Sequence, residues 1–454
     1  MTNEERIDIL NEKKNLINAV SPSFCSAKWL QTTLYLQNGY NHSCHHPSPH
    51  KIPVEEVIAD PSALHNSRLK KEARMQMRAG IRPAECDYCW RIEDLNSSYF
   101  SDRHYKTADY WAWDRFTEIA ELDPQKNVYP SYLEISFSNV CNFACAYCSP
   151  EISSKWMEDI THNGPYPVTH GKHDLEWMKS VGKYPYLHSE PNPYVDAFWK
   201  WFPEALPHLR VLRVTGGEPT LSKDVWKLFD YLAENPQPHL EFAINTNMNT
   251  NNIDRLLDAA LSIKNKVKLV DIYTSLESIG DQAEYARDGL NYNLWLDNVE
   301  NFLSRSDFKV SIMTTINILS VLGFDKFLLL ILELRKKYNT CFEVNRIPFT
   351  VNYLRWPLHL QCDLLDVEYR SKIADNILEI SNNWTKYNSP DKFARIYLEE
   401  LDQLKRFSAY LKTQPNNMKY RKDFLNFISE YDKRRNKKFQ ATFPQYSFLV
   451  NEWK

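Results

Sequence analysis

Residues 132–150 read YLEISFSNVCNFACAYCSP. Leu133, Ile135 and Phe137 recur at every second position, the period of a strand with one buried face. Cys141, Cys145 and Cys148 follow directly, spaced CxxxCxxC, on the loop that leaves that strand. Downstream, LRVLRVT (209–215), LEFAIN (240–245), VKLVDIYTS (267–275), FKVSIMTTI (308–316) and CFEVNRI (341–347) read as five further strands. Between them DVWKLFDYLAEN, IDRLLDAALSIKN, LWLDNVENFLSR and FDKFLLLILELRKKY carry apolar residues near a 3.6 period and read as helices. Strand alternating with helix predicts right-handed βαβ units and a parallel sheet, open or curled into a partial barrel. Functional groups then collect at the C-terminal strand ends, where the cysteines stand.

The flanking sequence breaks this rhythm. Residues 150–205 are rich in Trp, Tyr, Pro and His, as in HNGPYPVTHGK and PYLHSEPNPYVDAFWKWFP, and read as an insertion after the first barrel strand. Past residue 360, DVEYRSKIADNILEI and RIYLEELDQLKRFSAYL are amphipathic helices with no strands between them. The first 120 or so residues show one convincing strand, TTLYLQ, and read as a separate small domain stabilised by a metal. The predicted division is therefore 1–120, 121–360 and 361–454. A chain of 454 residues is long enough for two or three such domains.

Composition narrows the function. The formal charge of -3 argues against bulk electrostatic binding of nucleic acid. Glycine numbers only 10, and no GxGxxG occurs, which counts against a Rossmann dinucleotide site. The opening MTNEERIDILNEKKNL is charged, and no apolar run approaches the ~18 residues of a membrane span, so a cytoplasmic protein without membrane partners is expected. In a reducing compartment nine cysteines are thiols or metal ligands rather than disulfides. Three thiolates on one loop can hold three irons of a [4Fe-4S] cube and leave the fourth open, whereas a structural zinc site wants four ligands. Upstream, Cys25, Cys44, Cys86 and Cys89 form a second set of four, ending in CxxC. Spacing alone leaves zinc, [4Fe-4S] and [2Fe-2S] open there, and His42, His45, His46 and His50 crowd Cys44.

The cysteine loop, down to the aromatic Tyr147 before its last cysteine, resembles the signature of the radical S-adenosylmethionine (SAM) superfamily. The second barrel strand ends in TGGEP (215–219), similar to the family's turn for the SAM amino group, which implies Gly216, Gly217 and Glu218 as cofactor contacts. INTNMN and TSLES at the next two strand ends, with EYARDGL beyond, resemble further SAM contacts and imply Asn247, Ser275 and Arg287, the last for the SAM carboxylate. Asn317, after the fifth strand, joins them. By residue type alone, Arg287 equally suits a solvated helix, and ordinary strand-end turns account slightly better for each of the other three.

The resemblance covers roughly 130–350 and implies a partial (β/α)6 barrel of α/β class. It also implies reductive cleavage of SAM at the Cys141, Cys145 and Cys148 cluster to a 5′-deoxyadenosyl radical, which abstracts hydrogen from a substrate. A flavodoxin or ferredoxin would supply the electron. Upstream, Arg74, Met77, Gly80, Pro83, Cys86, Cys89, Trp90 and Glu93 resemble the auxiliary-cluster module called SPASM or twitch, here before the barrel rather than after it. That resemblance implies an auxiliary [4Fe-4S] or [2Fe-2S] cluster on Cys25, Cys44, Cys86 and Cys89. A radical oxidoreductase or modifying enzyme acting on a peptide or protein is expected, with a small polar metabolite as the alternative substrate. A non-catalytic zinc or iron–sulfur protein and a two-cluster electron carrier are the rival classes. Arg346, Tyr353 and Arg355 near the sixth strand, and the aromatic insertion, are candidates for lining the substrate pocket.

Overall fold

The computed structural model describes residues 3–96, 98–169, 171–187, 189–341, 343–385, 388–447 and 452–453. Eleven strands occur among them: β1 (Gln31–Tyr35), β2 (Tyr40–His42), β3 (His50–Lys51), β4 (Tyr132–Ser136), β5 (Ala144–Cys145), β6 (Val211–Thr215), β7 (Gln237–Asn245), β8 (Val267–Ser275), β9 (Arg287–Asp288), β10 (Lys309–Met313) and β11 (Phe349–Thr350). Nine form one sheet in the order β11-β10-β8-β7-β6-β4-β1-β2-β3, and β5 pairs with β9 in a separate ribbon. From β11 to β1 every pairing is parallel. This mostly parallel sheet with crossover helices is the partial barrel that the strand and helix periods predict.

Alternation orients each strand. On β4 Leu133 and Ile135 are buried, as are Leu212 and Val214 on β6 and Phe242 and Ile244 on β7, and all join one large apolar core. The opposite face carries Glu134, Arg213 and Asn245, where Arg213 Nε donates to Asn245 Oδ1 at 3.1 Å and stacks on Tyr273. The crossover helices Lys223–Glu234, Ile253–Ile263, Tyr292–Arg305 and Phe324–Tyr338 stand where their apolar periods place them.

Two features depart from expectation. The sixth strand is Phe349–Thr350, not 341–347. Phe342 lies outside the described residues, and the rest of that segment is irregular. Its loop is fixed by side chains instead: Asn339 Oδ1 accepts from Arg346 N (3.0 Å), and Arg346 Nη2 donates to the carbonyls of Ser306 (2.7 Å) and Phe308 (3.0 Å). Glu400 and Gln403, from the helix Leu398–Thr413, accept from the Phe349 and Val351 amides (3.1 and 2.9 Å), so the strand forms beside that helix. Arg346 therefore braces the N-terminal end of β10, away from the cysteine loop. Tyr353 stacks on Tyr410 of the same helix at 4.1 Å.

The second departure concerns TTLYLQ. β1 pairs with β4 in register, Gln31 with Tyr132 through Tyr35 with Ser136, so the N-terminal residues extend the barrel sheet. They also keep a smaller core of their own around Phe24, Trp29, Met77, Trp90 and Trp111. The helices of the C-terminal extension pack Phe407, Phe427 and Tyr431 into the large core.

Candidate functional site

The loop after β4 gathers Cys141, Cys145 and Cys148 around a cavity of about 200 Å³. Tyr147, Gly216, Gly217, Asn247, Ser275 and Arg287 line the same cavity, so separated strand ends converge on the thiols. Thr215, Asn245 and Thr315, not singled out by the sequence, line it as well. Burial pushes the Cys141 thiol up to about 12. Cys145 is raised well above its ordinary value, chiefly by a hydrogen bond with Cys148 and then by burial. Thiols so desolvated ionise when a cation takes the proton's place, which suits them as metal ligands.

Backbone carbonyls of the loop are caught one by one. Ser153 Oγ donates to Phe143 O (2.6 Å), Trp156 Nε1 to Cys145 O (2.9 Å), and His173 Nε2 pairs with Cys148 O (2.8 Å). Ser153 also N-caps the helix Ser154–Asn163, accepting from Trp156 N. Trp156 and His173 stack at 4.3 Å. The part of the aromatic insertion that carries Trp156 and His173 thus braces the cysteine loop from outside. From the C-terminal helix Arg421–Arg435, Tyr431 reaches Ala144 O at 3.4 Å, and Arg435 Nε pairs with Asp288 at 3.1 Å.

The paired glycines are explained by this loop. Gly216 has φ +128°, and a Cβ there would stand 2.8 Å from Ser136 Oγ. A Cβ on Gly217 would stand 2.3 Å from Val140 O. Gly217 N donates to Ser138 O (3.3 Å) and Glu218 N to Val140 O (2.7 Å), so the turn clamps the chain just before Cys141. Gly289, at φ +103°, performs the same service from the far side, 2.6 Å from Asn142 O by the same measure. The sequence offered no sign of that beyond a glycine after Arg-Asp.

Two predicted cofactor contacts fall outside the cavity lining. Glu218 is buried, and its carboxylate already accepts from Thr220 N (3.1 Å), Thr220 Oγ1 (2.7 Å), Thr246 Oγ1 (2.7 Å) and Asn247 N (2.6 Å). It ties the end of β6 to the end of β7, and burial raises its pKa. Asn247 passes the connection on, its Nδ2 donating to Asn142 Oδ1 at 2.7 Å. Asn317 is spent on its own turn, donating to Thr315 O (2.8 Å) and accepting from Leu319 N (2.9 Å).

Arg287 is buried rather than solvated. β9 pairs antiparallel with β5, setting Arg287 opposite Cys145. Its Nε donates to Glu277 Oε1 at 3.2 Å, and the same carboxylate accepts from Tyr147 Oη at 3.1 Å. Burial holds the Tyr147 phenol protonated, far above its ordinary value. Glu277, inside the quoted TSLES, is the residue that sequence reasoning missed. It already neutralises the guanidinium assigned to the SAM carboxylate.

In the N-terminal region Cys25, Cys44, Cys86 and Cys89 line one small pocket with Lys28, Arg103 and Lys106. The sequence-distant cysteines are thus brought together, with Trp90 and Met77 sealing the pocket. Among the described residues, the donor atoms of Cys44, His45, His46 and Asp102 also lie within 4.8 Å of one another. His46 Nε2 pairs with Asp102 at 2.6 Å.

In this α/β domain three thiols and a glycine turn converge at the C-terminal rim of a partial barrel, a donor set that fits a metal centre beside a second ligand. A profile of the Radical SAM superfamily matches residues 135–326, and the chain carries a domain of that superfamily. The family implies a [4Fe-4S] cluster and SAM, and three thiols beside a glycine-lined cavity fit them. A GTP 3′,8-cyclase of Aeromonas hydrophila subsp. hydrophila is 32% identical over 106 residues. That alignment spans 23% of this chain and 23% of the relative. Among the described residues no helix is long and apolar enough to cross a membrane.

Proposed function

We propose that this protein is an enzyme that reductively cleaves SAM and abstracts hydrogen from a peptide or protein, which it thereby oxidises or modifies. The observation that carries the reading is the convergence of Cys141, Cys145 and Cys148 with Gly216, Gly217, Asn247, Ser275 and Arg287 on one cavity. Cys141, Cys145 and Cys148 would hold an iron–sulfur cluster there, and that cluster would supply the one-electron reduction on which cleavage of SAM depends. The three cysteines hold the cluster, while the glycine turn, Asn247 and Ser275 orient the polar groups of SAM. Glu218 positions Asn247, and Glu277 positions Arg287 and Tyr147. Trp156 and Tyr431 close the outer side of the loop and keep water from it. A flavodoxin or ferredoxin is the electron donor. Cys25, Cys44, Cys86 and Cys89 hold an auxiliary iron–sulfur cluster, a reading supported by their shared pocket.

The test is anaerobic reconstitution with iron and sulfide, reduction with dithionite, and measurement of 5′-deoxyadenosine. Wild type is expected to release it, and the triple variant Cys141→Ala, Cys145→Ala, Cys148→Ala to release none. Cleavage at the wild-type rate in that variant would sink the assignment. A small polar substrate, such as a sugar, an aminoglycoside or a nucleotide, is the second reading, favoured by the activity in the name of the cyclase relative. Deuterium transfer into 5′-deoxyadenosine from labelled peptides, against labelled nucleotides and amino sugars, separates the two.

A further inference from the structure

Buried cations are costly unless opposite charge answers them. Lys28 is 4% exposed and stands in the wall of the four-cysteine pocket with Arg103, 3% exposed, and Lys106. Behind it lie Lys70 and Arg74, 1% and 0% exposed. Among the described residues Lys70 Nζ hydrogen-bonds only neutral groups, Gln31 O (2.9 Å) and His65 Nδ1 (2.9 Å). Arg74 likewise donates to Lys28 O (3.0 Å) and Asn66 Oδ1 (2.9 Å). Glu85 pairs with Lys28, Glu93 holds Arg103 at 2.7 Å, and Asp102 takes His46. Lys28 and Arg103 thus each hold a carboxylate partner, whereas Lys70 and Arg74 are answered by neutral groups. Crowding shows in Lys70, whose pKa falls well below its ordinary value through burial and then the nearness of Arg74 and Lys28. The pocket that the thiols enclose lies directly against Lys28 and Arg103, where thiolate charge would meet their buried cations. A centre held by four thiolates is anionic, and one-electron uptake adds a further negative charge with no bond made or broken.

We propose that Lys28 is a positioning residue for the auxiliary centre, its buried ammonium beside Cys25 and Cys86 raising the reduction potential so that the centre is an electron acceptor. This rests on the reading of Cys25, Cys44, Cys86 and Cys89 as iron–sulfur ligands. Reduction potentials of such clusters follow the charge and exposure around them, and a fixed cation in a dry wall is felt more than one in water.

The experiment uses the full chain with Cys141, Cys145 and Cys148 replaced by Ala, so that one centre remains. After anaerobic reconstitution, iron content, visible absorption and the midpoint potential are read, the potential by paramagnetic resonance during dithionite titration. Lys28→Met is expected to keep the iron and shift the potential to more negative values, while Lys28→Arg leaves it in place. Glu85→Gln, which frees Lys28 of its counter-charge, is expected to shift it the opposite way. Full iron with unchanged potentials in Lys28→Met and Glu85→Gln overturns the role of Lys28 alone. If Lys28→Met does not load iron, Lys28→Gln is read in its place, and a fully loaded Lys28→Gln with an unchanged potential overturns the role of Lys28. One zinc and no iron in the Lys28 parent overturns the ligand reading and this inference with it.

Discussion

Replacing Arg287 by Ala separates two accounts of the same residue. If Arg287 serves only the SAM carboxylate, its loss weakens SAM binding by ~1.5–3 kcal/mol, the worth of a charged hydrogen bond, and leaves the fold alone. The observed pairing predicts more. The Arg287 and Glu277 side chains are 7% and 1% exposed, so removing the guanidinium strands a carboxylate in the interior. Two unit charges ~4 Å apart attract by about 4 kcal/mol at an effective dielectric of ~20, and breaking one side of a buried pair costs ~3–5 kcal/mol. With ~2.1 cal/mol/K of unfolding entropy per residue, 454 residues melting together would lose ~4 °C in Tm for ~4 kcal/mol. Scanning calorimetry of the reconstituted protein reads this directly, and isothermal titration reads SAM. Glu277→Gln alone should also destabilise, and the double variant Arg287→Met, Glu277→Gln should recover much of the loss, because no unpaired charge remains. The reasoning is refuted if Arg287→Ala loses SAM affinity with an unchanged Tm and Glu277→Gln is silent.

Gly217→Ala should lower the iron bound by the barrel triad as well as SAM affinity, because the added Cβ meets Val140 O before it meets any ligand; normal iron content would show that the turn approaches only the cofactor. Stability should also fall between about pH 6.5 and pH 3 through His104, whose pKa burial lowers to about 3. The folded imidazole stays neutral there, accepting from Ser101 N at 3.1 Å, while the unfolded one takes up a proton. Acid therefore favours unfolding by up to ~1.4 kcal/mol per pH unit in that window. His104→Gln should flatten the stability-versus-pH curve by about one proton's slope, as read by urea midpoints, and an unchanged slope would count against it.

Where a determinant lies on one short stretch, the sequence discloses it. The alternation in β4, β6, β7, β8 and β10, and the three cysteines on one loop, needed no tertiary knowledge. Residues 341–347 misled because their apolar residues suit a strand, while the partners that place the strand at Phe349 are Glu400 and Gln403, about fifty residues on. Tertiary contact overrides local β-propensity there. The strand TTLYLQ was visible, but its pairing with Tyr132–Ser136 across about a hundred residues was not. At the site the same division holds. Tyr147, Gly216 and Arg287 stand in recognisable motifs, whereas Gly289, Trp156 and His173 acquire their roles only when other parts of the chain approach the cysteine loop. Glu277 was hidden differently, since an acid after a strand reads as a solvated turn until its guanidinium partner folds over it.

The pairing of β1 with β4 also bears on how this sheet avoids its own kind. An incomplete barrel has two raw edges, each a row of unpaired amides and carbonyls that invites another sheet to join. Here the sheet tapers at both ends into strands of two residues, His50–Lys51 and Phe349–Thr350. Such short ends offer little template for association. Trimming the chain to its barrel by removing residues 1–51 would instead bare the five-residue edge of β4, beside the loop that holds the cysteines, and the trimmed protein should associate edge to edge.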